Sequence, residues 1–106
     1  MPNRLEILQD LLKSSPEDGF IQFAIAKEYE KQNDYSLAIE WLYELIKKDE
    51  NYVGAYYHLA KLLEHEEKHE AALTIYDQGL RVAKNLGDQH AYAELKNARL
   101  NLELGL

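Results

Sequence analysis

The feature that most constrains this chain is a self-similarity at a fixed spacing of 34 residues. The stretch Gln22 to Glu50 returns as Tyr56 to Lys84. Ile25, Ala26, Lys27 and Tyr29 meet Leu59, Ala60, Lys61 and Leu63, while Ala38, Leu42 and Ile46 meet Ala72, Tyr76 and Leu80. A repeat period between about 20 and 50 residues marks an array of supersecondary units. No one unit can bury its apolar face alone, so neighbouring units stack and share a core.

Within each unit the apolar places recur at helical spacing, which predicts two helices joined by a short turn. The first stretch reads Gln22-x2-Ile25-Ala26-x2-Tyr29, then Ala38-x3-Leu42, then Glu50. The second reads Tyr56-x2-Leu59-Ala60-x2-Leu63, then Ala72-x3-Tyr76, then Lys84. These residues resemble the tetratricopeptide repeat, whose pattern is W-x2-L-G-x2-Y…A-x3-F…P over about 34 residues. The tryptophan place holds Gln22 and Tyr56, and the closing proline place holds Glu50 and Lys84. The expected fold is all-α, a right-handed superhelical stack of antiparallel helix pairs.

Taken in order, the chain reads as one domain, 1–106, with about six helices. Residues 3–16 are a half-repeat: Asn3 is a candidate N-cap, Leu5, Leu8, Leu11 and Leu12 lie at helical spacing, and Pro16 ends the segment. Repeat one spans 17–50, with helices expected at Glu17–Lys31 and Tyr35–Lys48 around the turn Gln32-Asn33-Asp34. Asn33 suits the left-handed conformation of such a turn. Repeat two spans 51–84, with helices expected at Val53–Glu66 and His69–Leu86. Its turn has neither Gly nor Asn, so that corner is expected to be the weaker one. Gly87 breaks the last long helix, and Asp88 caps a closing helix at Gln89–Leu104 within an 85–104 extension. Ala26 and Ala38 are small because paired helices approach closely only where crossing side chains are small.

Charge narrows the function classes. Twelve basic residues stand against 19 acidic ones, a net charge of −7. That balance disfavours nucleic acid as a partner, since phosphate binding asks for a basic surface. There are no cysteines, hence no disulfides and no thiol chemistry. No run approaches the roughly 18 apolar residues of a membrane span. Met1 leads directly into a polar, amphipathic pattern, with no apolar run of signal-peptide type. A cytoplasmic location and no direct membrane insertion are expected.

One stretch, His65-Glu66-Glu67-Lys68-His69, spells the HExxH of zinc peptidases. That chemistry needs both histidines one turn apart on a single helix. The repeat register instead puts residues 66–68 in a turn, so the two histidines fall on different helices and a metal-dependent enzyme is the least favoured reading. No Ser–His or Gly-rich phosphate motif is present either, so no catalytic residue, metal or cofactor is assigned.

The resemblance implies a different role: protein–protein interaction. In that family the first helix of each unit lines a concave surface that holds a partner's peptide or helix. Carried over by register, the lining is Phe20, Phe23, Lys27, Glu30 and Lys31 in unit one. In unit two it is Tyr57, Lys61, Glu64 and His65. Phe23, Lys27 and Glu30 share one side of their helix, away from the Ile25-Ala26-Tyr29 side. The lysines suit a carboxylate and the aromatics an apolar anchor. The asparagines of the family's carboxylate clamp are missing at the matching places. Trp41 is expected half-exposed and packed. Leu100 and Leu104 form a second apolar side on the last helix, which would serve a homodimer.

Overall fold

The computed structural model describes residues 3–106, so Met1 and Pro2 of the expected domain lie outside the described residues. Among the described residues there are six α-helices and no strand: α1 Arg4–Ser14, α2 Gly19–Lys31, α3 Tyr35–Lys48, α4 Val53–His65, α5 His69–Leu86 and α6 Gln89–Leu104. Side-chain caps explain most of the starts. The Asn3 side chain accepts from the Glu6 N–H at 2.9 Å. Asp34 caps α3 through Leu37 N–H and Asp88 caps α6 through Ala91 N–H. Such a cap contributes about 1 kcal/mol by satisfying an otherwise orphaned donor.

The start of α2 corrects the expected boundary. The helix begins at Gly19 rather than Glu17, because the Asp18 side chain accepts from Phe20 N–H and Ile21 N–H and so takes the capping place. Helix α4 ends at His65, one residue short of expectation, and both α5 and α6 stop at glycines in the left-handed conformation, Gly87 and Gly105.

The chain divides into two compact units, Met1–Asp49 and Glu50–Leu106. In the first, α2 packs against both α1 and α3. Its core is Ile25 and Ala26 of α2 with Ala38, Ile39, Leu42 and Leu45 of α3, joined by Leu8 of α1. Of the leucines spaced along α1, Leu8 alone is buried; Leu5 and Leu12 are half-buried and Leu11 is exposed. A helix held by so little apolar area is the one most prone to open locally.

In the second unit α4 and α5 form the pair, and α6 packs on both. Its core is larger: Ala55, Tyr56, Leu59, Ala60, Leu62 and Leu63 of α4, Ala72, Ile75, Tyr76 and Ala83 of α5, and Leu95 and Ala98 of α6. Fully burying each large aliphatic side chain contributes roughly 1.5–3 kcal/mol. Leu73 and Leu80 are half-buried, while Ile75 and Gly79 are buried beside them. Arg99 of α6 reaches back to Asp77 of α5 at 2.6 Å and also bonds Glu103, tying the last helix to its neighbour. The bond to Asp77 raises the Arg99 pKa above its ordinary value, against the opposing effect of burial.

The two helix-pair corners share one backbone form. Asn33 and Glu67 both take positive φ, 64° and 59°. In each, the N–H of the following residue donates to the carbonyl five residues back, Asp34 to Tyr29 and Lys68 to Leu63, both at 2.8 Å. The left-handed residue turns the chain within three residues, which forces successive helices to run side by side.

Candidate functional site

Helix α2 carries two stripes. Gln22, Ile25 and Ala26 are buried, with Tyr29 half-buried beside them. Phe20, Phe23, Ala24, Lys27 and Lys31 follow one another at steps of three, one, three and four, which places them on a second face. That face floors a concavity of about 460 Å³ in the first unit. All five residues expected there, Phe20, Phe23, Lys27, Glu30 and Lys31, line it.

Its chemistry is apolar at the floor and cationic at the rim. Phe20 is 72% exposed, an unusual condition for a large aromatic in a small domain. The Lys27 ammonium lies 5.7 Å from the centre of the Phe23 ring, a cation–π arrangement that holds both side chains. Arg4 and Glu28 also line the concavity and were not legible as site residues. Their Nε–Oε1 distance is 2.9 Å, so α1 closes one side of the site by an ion pair. The repeat register does not single them out: Glu28 matches Leu62 and Arg4 matches Ala38, and an ion pair between two helices leaves no trace in a period.

The four residues expected from the second unit lie on α4. Tyr57 is half-buried and Lys61 and His65 are exposed. Lys61 sits 3.9 Å from Glu64. Glu64 in turn accepts the hydroxyl of Tyr76, a residue of α5 with no exposed surface. Burial first, then the bond and the charge of Glu64, push the Tyr76 phenol far above its usual pKa. Glu64 is therefore committed to its own unit. The place matching Phe20 is Gly54, whose surroundings are open, so the second unit has no equivalent aromatic.

The HExxH stretch is split as the register requires: His65 ends α4, His69 begins α5, and residues 66–68 form the corner. No group of three or more His, Asp or Glu suited to a metal ion occurs among the described residues. No described helix is long and apolar enough to cross a membrane. Trp41 of α3 is half-buried, its ring 6.3 Å from that of Tyr29. Leu100 and Leu104 of α6 are 51% and 62% exposed.

No family model matches the sequence. No curated protein matches it either. Among solved structures, the chain is 41% identical to a tetratricopeptide repeat domain protein from Salinibacter ruber, with a TM-score of 0.80 over 83% of this chain and 89% of that one. The TPR2B domain of yeast Sti1, in its complex with pHsp70, superposes with a TM-score of 0.88 over 99% of this chain and 84% of that one, at 21% identity. The type III secretion translocator chaperone SycD of Yersinia enterocolitica gives 0.85 over 95% and 70%, at 14% identity.

Proposed function

The chain belongs to the tetratricopeptide repeat family, and on that footing we propose that it is a non-catalytic protein-interaction module that holds a peptide or helix of a partner protein. The observation that carries the proposal is the α2 concavity. Phe20 and Phe23 bring an aromatic floor, and Lys27 and Lys31 bring cations, into one open depression that Glu30 also lines. An apolar side chain seated on Phe20 and Phe23 would gain burial, and a carboxylate beside it would meet Lys27 and Lys31. On α4, Tyr57, Lys61 and His65 are the register-equivalent contact residues, with Glu64 holding Lys61 in place. Two structural neighbours have names that speak of other proteins, one a complex with pHsp70 and one a translocator chaperone. The net charge of −7 supports a protein rather than a nucleic acid as the occupant. A cytoplasmic location goes with this role.

The test is an affinity capture from lysate of the source organism, comparing the wild type with a Phe23→Ala, Tyr57→Ala, Lys61→Glu variant of unchanged helicity. A partner kept by the first and lost by the second is the expected result. A partner held equally by both moves the site off these faces. Self-association through α6 is the alternative, favoured by the exposure of Leu100 and Leu104. It predicts a solution mass that doubles with concentration and returns to the monomer in a Leu100→Glu, Leu104→Glu variant.

A further inference from the structure

The outer face of α3 carries a second concavity, of about 470 Å³, lined by Glu40, Trp41, Tyr43, Glu44 and Lys48. It shares no residue with the α2 concavity and is independent of the function proposed above. We propose that this face is a docking site for an arginine side chain of a basic partner segment.

Three observations carry the assignment. The first is an aromatic pair. Trp41 is half-buried with its ring tilted at 37° to Tyr29, so the indole is already held and little rotamer freedom is lost when something stacks on it. Tyr43, two residues on along α3, also lines the concavity and is exposed. The second is a pair of uncommitted carboxylates. Glu40 and Glu44 stand one helical turn apart, both exposed, and neither makes an ion pair or hydrogen bond among the described residues. Elsewhere Glu28, Glu64, Asp77 and Glu103 are each engaged by a neighbour. The third is that the fold does not ask for these residues. The corresponding places in repeat two are Thr74, Ile75, Asp77, Gln78 and Val82, a set without an aromatic.

The chemistry selects the occupant. A guanidinium is flat and weakly hydrated, so its face stacks on an indole while its edge donates to a carboxylate in a fork. An ammonium can do one of these well but not both. The carbonyl end of α3 adds partial negative charge near Lys48, and Lys48 itself is the one lining group that opposes a cation.

Trp41 is the only tryptophan of the chain and therefore reports on this site alone. The probe is an acetylated, amidated tetra-arginine peptide titrated at low salt while Trp41 emission is followed. The expected result is a saturable change, weaker binding of a tetra-lysine peptide, and at least a tenfold loss of affinity in Glu40→Gln, Glu44→Gln. A control variant with the same charge change, Glu66→Gln, Glu94→Gln, is expected to bind as the wild type does. Equal loss in both variants would show attraction to net charge alone and overturn the proposal. So would equal affinity for the lysine peptide, or no saturable change up to millimolar peptide.

Discussion

Repeat one and repeat two follow one pattern, yet they fill it with opposite choices. At the place opening the pattern, repeat one has Gln22 and repeat two has Tyr56, both buried. Each donates to the carbonyl six residues earlier: Gln22 Nε2 to Pro16 at 2.8 Å, and the Tyr56 hydroxyl to Glu50 at 2.6 Å. The two acceptors are themselves register equivalents, 34 residues apart. What differs is volume, and the second helix answers it. Repeat one has the buried Leu45 where repeat two has the buried Gly79. A Cβ built on Gly79 would lie 2.7 Å from the Tyr56 Cβ and 3.1 Å from Leu95 Cδ1. The repeat therefore keeps a buried side chain bonded to the segment before its first helix while exchanging which helix supplies the bulk. Close-packed interiors leave no room for both helices to be large at one crossing.

Exchanging the pair gives the largest expected effect. Gly79→Leu places a branched side chain against the Tyr56 Cβ, which cannot swing away, and is expected to lower unfolding stability by at least about 3 kcal/mol, the upper end of ordinary overpacking. Chemical denaturation measures it. Adding Tyr56→Gln, which rebuilds the repeat-one combination, is expected to restore part of that loss. A double variant no better than the single one would show that the two places are not coupled.

Leu45→Ala tests the same exchange in repeat one. Its side chain is 1% exposed, and the change is expected to cost about 2–5 kcal/mol through lost burial and the cavity left behind.

The pairing of Tyr76 with Glu64 is specific to repeat two, since Leu42 holds the equivalent place in repeat one. The Tyr76 phenol is raised in the folded chain, whereas in the unfolded chain it ionises near about pH 10. The folded state thus keeps a proton that the unfolded state gives up. That contribution to stability is complete below about pH 10 and is lost as pH rises from there towards the folded value. As pH rises through this alkaline range the wild type is expected to lose stability relative to Tyr76→Phe in melting curves, whatever their order at neutral pH. Parallel curves would remove the coupling.

The corners give the smallest effect. Asn33 accepts the left-handed conformation readily, and Asp34 caps the helix that follows. Glu67 adopts the same conformation with no such aptitude, and Lys68 makes no capping bond. Glu67→Gly is expected to gain about 0.5–1 kcal/mol, and Lys68→Asp a similar amount as a new N-cap. Asn33→Ala is expected to cost about 1 kcal/mol.

Much of this architecture is legible before any coordinates. The period placed both corners and split His65 from His69, turn chemistry gave the Asn33 conformation, and period and capping residues together gave five of the six helix starts to within a residue. Three things were not legible. The start of α2 moved from Glu17 to Gly19 because the short Asp18 carboxylate accepts from the orphaned N–H groups of Phe20 and Ile21. Arg4 and Glu28 joined the α2 concavity through an ion pair between α1 and α2, which no period encodes. The bond that Glu64 accepts from Tyr76 was not legible either, because a buried hydroxyl finds its acceptor across helices.

Period, spacing and turn chemistry are local quantities. They depend on residues a few places apart along one helix or on residues related by one repeat, and the sequence alone determined them. The exchange of bulk between Tyr56 and Gly79, the commitment of Glu64, and the aromatic–acidic face of α3 depend on which side chains meet across helices. Those meetings follow from close packing and from satisfying buried polar groups in three dimensions, and only the tertiary structure decided them.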